Sequence, residues 1–369
     1  MAATAIAYSL LLLIIMINPQ VIARPRIKKE TTTLIAINIF VLLGAAWQDF
    51  YANNLIKLLG LQIYSLLVIA CFKSDLIKQG AISFAARAVI LTHSFIFILQ
   101  LSYFLLSGEY LDINSIIRDS EAISLYESKA LEGLLIPIRA TGIYTEPSFY
   151  AMSVLTAATV LVLQEKRIST VVLLAVATSL LSFSVAAILV SSILFVVFLF
   201  YVTGQKLIKI GALLVALTIT PYLYNYFDVR INESADYDAV GSRTLIFKEI
   251  QDRPDIQNIF GHGILWDDRY PVGKYSLSGA NIRDSSFYVY ALYSVGLLGG
   301  LLFLAAILTA FKGSAFSLTC IFVMLLFKFH ILQGSFWMLM TFIYLSTPRN
   351  SSFNRPLSRR LWTAHQTTN

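Results

Sequence analysis

Arg139 and Glu146 stand seven residues apart, in the segment Arg139-Ala-Thr-Gly-Ile-Tyr-Thr-Glu146-Pro147, where a polar stretch of the chain gives way to an apolar one. An arginine side chain is a permanently charged planar fork, which suits it to bind the oxygens of a pyrophosphate. Pro147 is typical of a first helical turn, and the positive end of that helix would hold Glu146 in place. The segment therefore indicates a phosphate site, although Arg139 could also bind lipid phosphate or pair with Glu146.

A second polar stretch carries an arginine in an unusual position. The pattern predicts a helix from Ser242 to Asp252, with Ser242 as N-cap and Pro254 as the stop. On a helical wheel Arg243 lies in the middle of the apolar face; this face contains Ile246, Phe247 and Ile250, and the opposite face contains Lys248, Glu249 and Asp252. Such a helix would rest its apolar side on lipid or protein while the guanidinium reaches into a pocket. Arg253, beside Pro254, is expected to tolerate replacement by Ala.

Three more residues of the same stretch could take part in chemistry. His262 lies between two glycines, and Arg283 and Asp284 come just before an apolar run that begins at residue 286. The simpler interpretations are a solvated histidine in a turn and an aspartate that caps a helix. The candidate catalytic residues are therefore Arg139, Glu146, Arg243, His262, Arg283 and Asp284.

Polar residues also occur within and between the apolar runs. His93, Gln100 and Ser107 recur every seven residues, which makes a polar stripe on one run. An ionisable group inside a membrane is a functional candidate, and the alternative is a neutral histidine bonded to a neighbouring helix. Lys328 and His330 fall at the turn between the last two runs, where the lysine could face an anionic substrate. We therefore treat His93, Lys328 and His330 as candidate substrate-binding residues.

The elements that must position these residues are membrane-spanning helices. Of the 369 residues, 57% are hydrophobic and only 13% are charged, whereas about a quarter is usual for a soluble domain. Since about twenty apolar residues cross a bilayer, we predict an all-α polytopic membrane protein with about eleven transmembrane helices (ten to twelve). The predicted spans are 2–22, 32–46, 55–72, 84–107, 147–163, 168–183, 185–203, 207–225, 286–311, 315–327 and 331–346. No Lys or Arg precedes the first run, so a cleaved signal is not expected.

The distribution of basic residues predicts the orientation. Basic residues follow alternate spans and fill the tail: Arg24, Arg26, Lys28, Lys29, Lys73, Lys78, Lys166, Arg167, Lys206, Lys312, Arg349, Arg355, Arg359 and Arg360. The positive-inside rule makes that side cytoplasmic, with the N-terminus outside and the C-terminus inside. The result is one integral membrane domain over 1–369, two outer loops (108–146 and 226–286) and a cytoplasmic basic tail (347–369). The net charge of +7 then reflects topology, and no nucleic-acid partner is predicted.

Each outer loop is predicted to carry a short helix on the membrane surface. In the first loop the apolar face would contain Ile116, Ile123, Ala130, Leu131 and Leu134. Both cysteines, Cys71 and Cys320, fall in predicted spans, and no group of His, Asp or Glu has the spacing of a metal site. We therefore predict no disulfide, metal or cofactor.

Four segments carry a resemblance to a known family, over about residues 130–312. They are Arg139-Ala-Thr-Gly with Glu146-Pro-Ser, Leu181-Ser-Phe-Ser-Val-Ala-Ala-Ile-Leu189, Ser242-Arg243 with Phe260-Gly-His-Gly263, and Asp284-Ser285 with Gly296-Leu-Leu-Gly299. Together they resemble the O-antigen polymerase and ligase superfamily, the bacterial enzymes that assemble surface polysaccharide on undecaprenyl pyrophosphate. Val185 stands where the family often has Arg. Asp284 stands where ligases usually have His, which favours a polymerase.

The resemblance implies a metal-independent glycosyltransferase of the bacterial inner membrane that uses no cofactor. It would act at the periplasmic face on undecaprenyl-pyrophosphate-linked glycans, with membrane lipid around it and a chain-length regulator as a candidate partner. Arg139 and Arg243 are expected to bind pyrophosphate. The nearest alternative is a ligase that transfers glycan to lipid A–core. A flippase or exporter is the alternative of a different class, but it should show polar groups within the helix bundle and two similar halves.

Overall fold

A computed structural model of the chain describes residues 28–44, 50–78, 80–113, 138–202, 239–267 and 269–347, together with four single positions near the N-terminus. Most of these residues are helical, and the strands among them form one short hairpin. The all-α prediction is therefore confirmed for the described part. The predicted span 207–225, the surface helix of the first loop and the tail beyond residue 347 lie outside the described residues, as does nearly all of span 2–22.

The helices of the described part follow one another with short connections. They are α1 (Lys28–Gly44), α2 (Ala52–Lys73), α3 (Gly80–Ser107), α4 (Pro147–Glu165), α5 (Thr170–Leu180), α6 (Val185–Val202), α7 (Ala239–Asp252), α8 (Asp255–Phe260), α9 (Gly279–Arg283), α10 (Phe287–Ala310), α11 (Ala315–Met324) and α12 (Gly334–Ser346), and the hairpin strands are β1 (Pro271–Val272) and β2 (Leu277–Ser278). The helices α1–α6 and α10–α12 each coincide with a predicted span.

Five of the described helices are long and apolar enough to cross a membrane: α2, α3, α4, α6 and α10. These helices support a multi-pass membrane protein. The apolar helices α5, α11 and α12 have only 11, 10 and 13 residues. At 1.5 Å per residue each is shorter than a hydrocarbon core of about 30 Å, so the spans predicted at 168–183, 315–327 and 331–346 stay predictions.

The chain divides into two units. The first unit contains residues 1–82, 242–312 and 328–345, and the second contains 83–241, 313–327 and 346–369. In the first unit α10 packs against α1, α8 and α9, and in the second α4, α5, α6 and α11 pack against one another. The interior of the second unit is apolar, with Tyr150, Phe198 and Phe316 almost completely buried.

The helix α7 differs from its prediction in two respects. It begins at Ala239, so Ser242 lies inside the helix and is not its N-cap. The assignment of Glu249 to the solvent face is wrong, because Glu249 is 3% exposed whereas Phe247 is 49% exposed. Glu249 is buried because its carboxylate accepts the backbone N–H groups of Lys274 and Tyr275, each at 2.8 Å, in the turn of the β1–β2 hairpin. A polar turn thus covers Glu249, while Lys248 and Asp252 on the same face stay exposed.

Candidate functional site

The candidate residues are distributed over both units. The second unit contains Arg139, Glu146 and His93, and the first contains Arg243, His262, Arg283, Asp284, Lys328 and His330. Arg243 lies in α7 as predicted, but its side chain lies outside the described part of the structure. In each unit a buried polar side chain holds the segment on which candidates lie.

In the second unit this side chain is Gln100, which is 1% exposed. Its Oε1 accepts the backbone N–H groups of Thr141, at 2.8 Å, and Gly142, at 2.9 Å, while its Nε2 donates to the carbonyl oxygen of Leu111 at 2.7 Å. Gly142 has φ of +61° and packs against the ring of Tyr150, where an added Cβ would lie at 3.5 Å. Because buried N–H groups need acceptors, Gln100 fixes the segment that follows Arg139.

His93 lies seven residues before Gln100 in α3 and contacts the same segment between Arg139 and Glu146. Its Nε2 lies 3.3 Å from the hydroxyl of Tyr144, and the two rings are 5.2 Å apart. Burial raises the pKa of the Tyr144 phenol, which therefore stays protonated. Ser107, the third member of the predicted stripe, is exposed and donates to the carbonyl of Tyr103 in its own helix. Two of the three residues of the stripe thus join α3 to the segment that precedes α4.

Arg139 and Glu146 lie at the two ends of this held segment. Arg139 is half-buried between Ile138 and Ala140, each 1% exposed. Glu146 occupies the N-cap position of α4, so the prediction that it stands at the positive end of that helix is confirmed. Its side chain does not cap the helix; instead its Oε2 accepts a hydrogen bond from the Ser148 hydroxyl at 3.2 Å.

In the first unit the long helix α10 is broken at Gly296, where φ is +63° and ψ is −168°. The turn Gly261-His262-Gly263 packs into this break. An added Cβ on Gly261 would lie 2.3 Å from the carbonyl oxygen of Ser294, and one on Gly296 would lie 2.4 Å from the backbone nitrogen of Gly261. Only glycine permits so close an approach. The predicted turn at His262 is therefore confirmed.

The break leaves carbonyl groups of α10 without their usual helical donors, and the turn supplies some of the replacements. The backbone N–H of His262 donates to the carbonyl of Tyr293 at 2.9 Å, and that of Gly263 to the carbonyl of Ser294 at 2.6 Å. The His262 ring lies 5.5 Å from the Tyr293 ring. His262 is thus half-buried against α10, and its solvated alternative applies only in part.

Arg253 supplies the remaining donors at this break. Its guanidinium donates to the carbonyl of Tyr293 at 2.9 Å, to the carbonyl of Leu292 at 3.0 Å and to Oδ1 of Asn258 at 2.7 Å. Arg253 is 6% exposed, and this burial lowers its pKa. These contacts argue against the expectation that Arg253 tolerates replacement by Ala, because its loss would leave the carbonyl of Leu292 without its guanidinium donor and the carbonyl of Tyr293 with the N–H of His262 alone.

Beyond the turn, Trp266 lies at the centre of a group of rings and charges. The Arg283 guanidinium is 5.2 Å from the Trp266 ring, and that ring makes edge contacts with Tyr290 at 6.3 Å and Tyr293 at 6.1 Å. Asn54 fixes the tryptophan backbone by donating to its carbonyl at 2.7 Å. Three separate parts of the first unit therefore position this group.

His330 and Lys328 complete what we name the cation–aromatic cluster: Arg283, Trp266, Tyr290, His330, Lys57, Lys328 and Asp284. The His330 ring lies 5.9 Å from the Tyr290 ring. Burial, followed by the positive charges of Arg283 and Lys57, lowers the pKa of His330 to about 3, so this histidine is neutral near pH 7. Nζ of Lys328, whose side chain is 11% exposed, lies 3.5 Å from Oδ1 of Asp284. With one carboxylate against three cations, the cluster carries an excess of positive charge.

Asp284 lies in a connection and not at the start of the long helix. Arg283 ends α9, Ser286 is the N-cap residue of α10, and the Ser285 hydroxyl donates back to the carbonyl of Ile282 at 2.6 Å. The capping interpretation of Asp284 is therefore wrong, since Ser286 holds that position. Its half-exposed carboxylate is left to pair with Lys328.

Some residues of these sites were not among the sequence candidates. Trp266, Lys57 and Arg253 were not identified, because no local pattern marks a contact between residues far apart in the chain. An available signal was the short interval from Trp266 to Arg283 in a polar loop, since cation–aromatic pairs are common where arginine and tryptophan occur together.

Among the residues that the structure describes, no three His, Cys, Asp or Glu side chains come together as a metal site. Comparisons with protein-family models, with curated proteins and with solved structures gave no match. The chemistry is therefore inferred from the residues of the two units.

Proposed function

We propose that the protein polymerises oligosaccharide repeat units carried on undecaprenyl pyrophosphate into O-antigen or a related surface polysaccharide, at the periplasmic face of the bacterial inner membrane. The cation–aromatic cluster of the first unit is the observation that supports this proposal most directly. It combines the positive charge that a pyrophosphate requires with the aromatic surface against which a sugar or an apolar group packs.

The charges of the cluster suit a pyrophosphate leaving group. Arg283 can bind two phosphate oxygens at once, and Lys57 and Lys328 add point charges. His330 is neutral, so it can donate a hydrogen bond to a phosphate oxygen or accept one from a hydroxyl group without changing the charge of the cluster. Fixed cations of this kind stabilise charge that develops on the leaving group without any reorganisation. We propose the same role, phosphate binding, for Arg243 and for Arg139 of the second unit.

The proposed reaction is an inverting glycosyl transfer. A hydroxyl oxygen of the acceptor repeat unit attacks the anomeric carbon of the donor glycan, and a new glycosidic bond forms. The bond from that carbon to the pyrophosphate oxygen breaks, and undecaprenyl pyrophosphate leaves with the electron pair. The hydroxyl proton passes to a base. The candidate bases are Glu146, Asp284 and His262, in that order; Glu146 is half-buried at the start of α4 and already accepts a hydroxyl hydrogen bond.

The proposal includes about eleven spans, with the N-terminus in the periplasm and the C-terminus in the cytoplasm. Reporter fusions test this orientation. Fusions at residues 120 and 255 should report periplasm, and fusions at residues 27, 76, 166 and 355 should report cytoplasm. A cytoplasmic signal at residue 255 would place the cation–aromatic cluster in the wrong compartment for this reaction.

Purified protein with a lipid-linked repeat unit tests the activity. We expect a ladder of longer lipid-linked products, with one undecaprenyl pyrophosphate released for each new bond and no need for an ion gradient. The ladder should persist in EDTA, because arginines would supply the positive charge. Movement of the substrate across a bilayer without chain growth would favour the flippase. In cells, loss of the gene should leave a single repeat on lipid A–core, whereas loss of a ligase leaves none.

A further inference from the structure

The chain before and after α8 contacts α10 at successive levels of that helix. Arg253, before α8, donates to the carbonyl of Tyr293 at 2.9 Å. Gly261, after α8, lies three residues further along α10, since an added Cβ on Gly296 would be 2.4 Å from its backbone nitrogen. The chain then turns back, and the Trp266 ring contacts the Tyr293 ring at 6.1 Å. The segment that contains α8 therefore follows α10 as far as its break and returns.

The position of the break along α10 gives the depth that this segment reaches. Gly296 is nine residues after Phe287 and fourteen before Ala310, the two ends of α10. No charged residue occurs between Asp284 and Lys312, and α10 is long and apolar enough to cross a membrane. At 1.5 Å per residue α10 is about 36 Å long, for a hydrocarbon core of about 30 Å. Gly296 therefore lies about 8–14 Å inside the core, measured from the boundary nearer Phe287.

After its first residue, α8 exposes apolar side chains and turns a polar one towards the protein. Ile256 and Ile259 are 55% and 46% exposed, whereas Oδ1 of Asn258 accepts a hydrogen bond from Arg253 at 2.7 Å. A helix in water does the reverse. The carbonyl oxygen of Ile259 would lie 2.5 Å from an added Cβ on Gly296, so this residue is at the level of the break. The exposed apolar surface of α8 is thus at membrane depth.

The backbone after α8 meets the requirement for a position inside a membrane. Irregular backbone is tolerated there only where protein covers it and its polar groups are bonded. Gly261 and Gly263 are buried, and the N–H groups of Gly261, His262 and Gly263 donate to backbone carbonyls at 2.6 to 2.9 Å. The exposed carboxylate of Asp255 begins α8, four residues before Ile259 and up to about 6 Å nearer the membrane surface.

We propose that residues 255–263 form a re-entrant segment, which enters the hydrocarbon core beside α10 and presents Ile256 and Ile259 to the acyl chains of membrane lipids. Beyond its break α10 exposes Leu297 and Leu301 in the same way, at 60% and 54%, so the lipid chains that cover α10 also cover α8. This part of the predicted second outer loop then lies inside the bilayer. The inference depends on α10 crossing the membrane and not on the proposed polymerase activity.

Spin labels in lipid nanodiscs measure this depth. The labels are attached to Gln251→Cys, Ile256→Cys, Ile259→Cys and Leu301→Cys, in protein without its two native cysteines. Their collision rates with oxygen, which dissolves in hydrocarbon, and with a water-soluble nickel chelate are compared. The ratio of oxygen to nickel collisions should rise from Gln251, exposed on α7, to Ile256 and then to Ile259. At Ile259 it should exceed the Gln251 value by about tenfold or more, because hydrocarbon excludes polar solutes, and should approach the Leu301 value.

Two results would overturn the proposal. The first is a ratio at Ile259 equal to that at Gln251, which would place α8 in water. The second is a label at Ile259 that neither reagent reaches, because protein and not lipid would then cover α8.

The unmodified protein gives a second measurement, which decides if a cysteine variant does not fold. A phospholipid with a diazirine in its acyl chain is added to the membrane, and the sites of insertion are mapped by mass spectrometry. Residues 256–259 should be labelled together with the exposed leucines of α10. Lys248, exposed on α7, should be labelled only by a water-soluble diazirine and is the matched control. Labelling of the α10 leucines without residues 256–259 would contradict the re-entrant segment.

Discussion

Two buried side chains hold the polar segments of the two units in opposite ways. In the second unit Gln100 accepts hydrogen bonds from two backbone N–H groups of the segment between Arg139 and Glu146. In the first unit Arg253 donates hydrogen bonds to two backbone carbonyls at the break in α10. One is a neutral acceptor and the other a charged donor.

The difference follows from what each backbone segment leaves unsatisfied. The segment after Arg139 is an irregular turn whose buried N–H groups have no helix or strand partner, so an amide oxygen suffices. A helix interrupted at Gly296 instead releases several carbonyls on one side, and only a guanidinium offers several donors in one plane. Each hydrogen bond from the Arg253 guanidinium is stronger than one to the Gln100 amide, and loss of Arg253 should therefore cost more folding free energy.

Replacement of Arg253 should have the largest effect. Arg253→Ala removes three hydrogen bonds from a charged donor, so that the carbonyl of Leu292 loses its guanidinium donor and the carbonyl of Tyr293 keeps only the N–H of His262, which should cost about 3–5 kcal/mol of folding free energy. Arg253→Lys should rescue little, because an ammonium cannot reach all three acceptors at once. Thermal unfolding of purified protein measures the loss, and polymer should disappear together with folded protein.

Lys248→Ala serves as the control for Arg253, because Lys248 is an exposed basic residue on the preceding helix. It should change the stability by less than about 0.5 kcal/mol. If Arg253→Ala unfolds at the same temperature as this control, the guanidinium does not hold the break in α10.

Removal of the arginines that we propose to bind phosphate should have the next largest effect. Arg139→Ala, Arg243→Ala and Arg283→Ala should each cost about 2–4 kcal/mol of transition-state stabilisation, or a rate lower by about 30- to 1,000-fold, with normal amounts of folded protein. Lysine at these positions should restore only part of the rate, because a point charge lacks the planar fork. The lengths of the lipid-linked products over time give the measurement.

Arg269→Ala is the matched control for Arg283. Each guanidinium lies over an aromatic ring, Arg269 at 5.5 Å from Tyr51 and Arg283 at 5.2 Å from Trp266, but Arg269 is 70% exposed and bound to Asp267. It should retain the full polymer ladder. Retention of long polymer in all three arginine variants would contradict the proposed phosphate sites.

The sequence predicted where the long helices lie, but it did not predict where a helix breaks or which distant residue stabilises the break. Long apolar runs predicted α2, α3, α4, α6 and α10, because crossing a bilayer needs length and apolarity, and both can be read locally. The break of α10 was not predicted, although Gly296 was part of a recognised motif, because a glycine is also tolerated in an intact helix. Its partner, Arg253, lies 43 residues earlier in the chain.

The candidate site shows the same division. Residue type alone selected Arg283, Asp284, Lys328 and His330, and the structure brings these four into one cluster. Trp266, which lies over the Arg283 guanidinium in that cluster, was not selected, because its spacing from Arg283 in a polar loop was its one signal. The helical wheel placed Glu249 on the solvent face because it considers only residues of the same helix. The hairpin that buries its carboxylate comes about 25 residues later in the chain.

Loss of the neutral acceptor should cost less than loss of the charged donor. Gln100→Leu keeps the volume and leaves the N–H groups of Thr141 and Gly142 without an acceptor, at a cost of about 2–3 kcal/mol. Ser107→Ala, on the same stripe of α3 but exposed, should be almost neutral and is the control. The midpoint of thermal unfolding measures both. If Gln100→Leu costs as much folding free energy as Arg253→Ala, the charged donor does not stabilise its unit more than the neutral acceptor stabilises the other.

The smallest effect should be a dependence on pH in the first unit. The folded pKa of His330 is about 3, whereas an unfolded histidine has a pKa of about 6.5. At pH 7.5 the side chain is neutral in both states and the pH has no effect through it. As the pH falls through 6.5 the unfolded chain binds a proton that the folded cluster, with Arg283 and Lys57 beside the ring, does not accept, so stability is lost.

At pH 5 this difference in proton binding amounts to about 2 kcal/mol. His330→Gln has no such proton to bind, so its stability should fall less between pH 7.5 and pH 5 than that of the wild type, by about that amount. Every other titrating group is common to both proteins, and the difference between their unfolding midpoints at the two pH values therefore isolates His330. An equal loss in both proteins would mean that the folded cluster accepts a proton at His330, so that burial and the charges of Arg283 and Lys57 would not keep this histidine neutral.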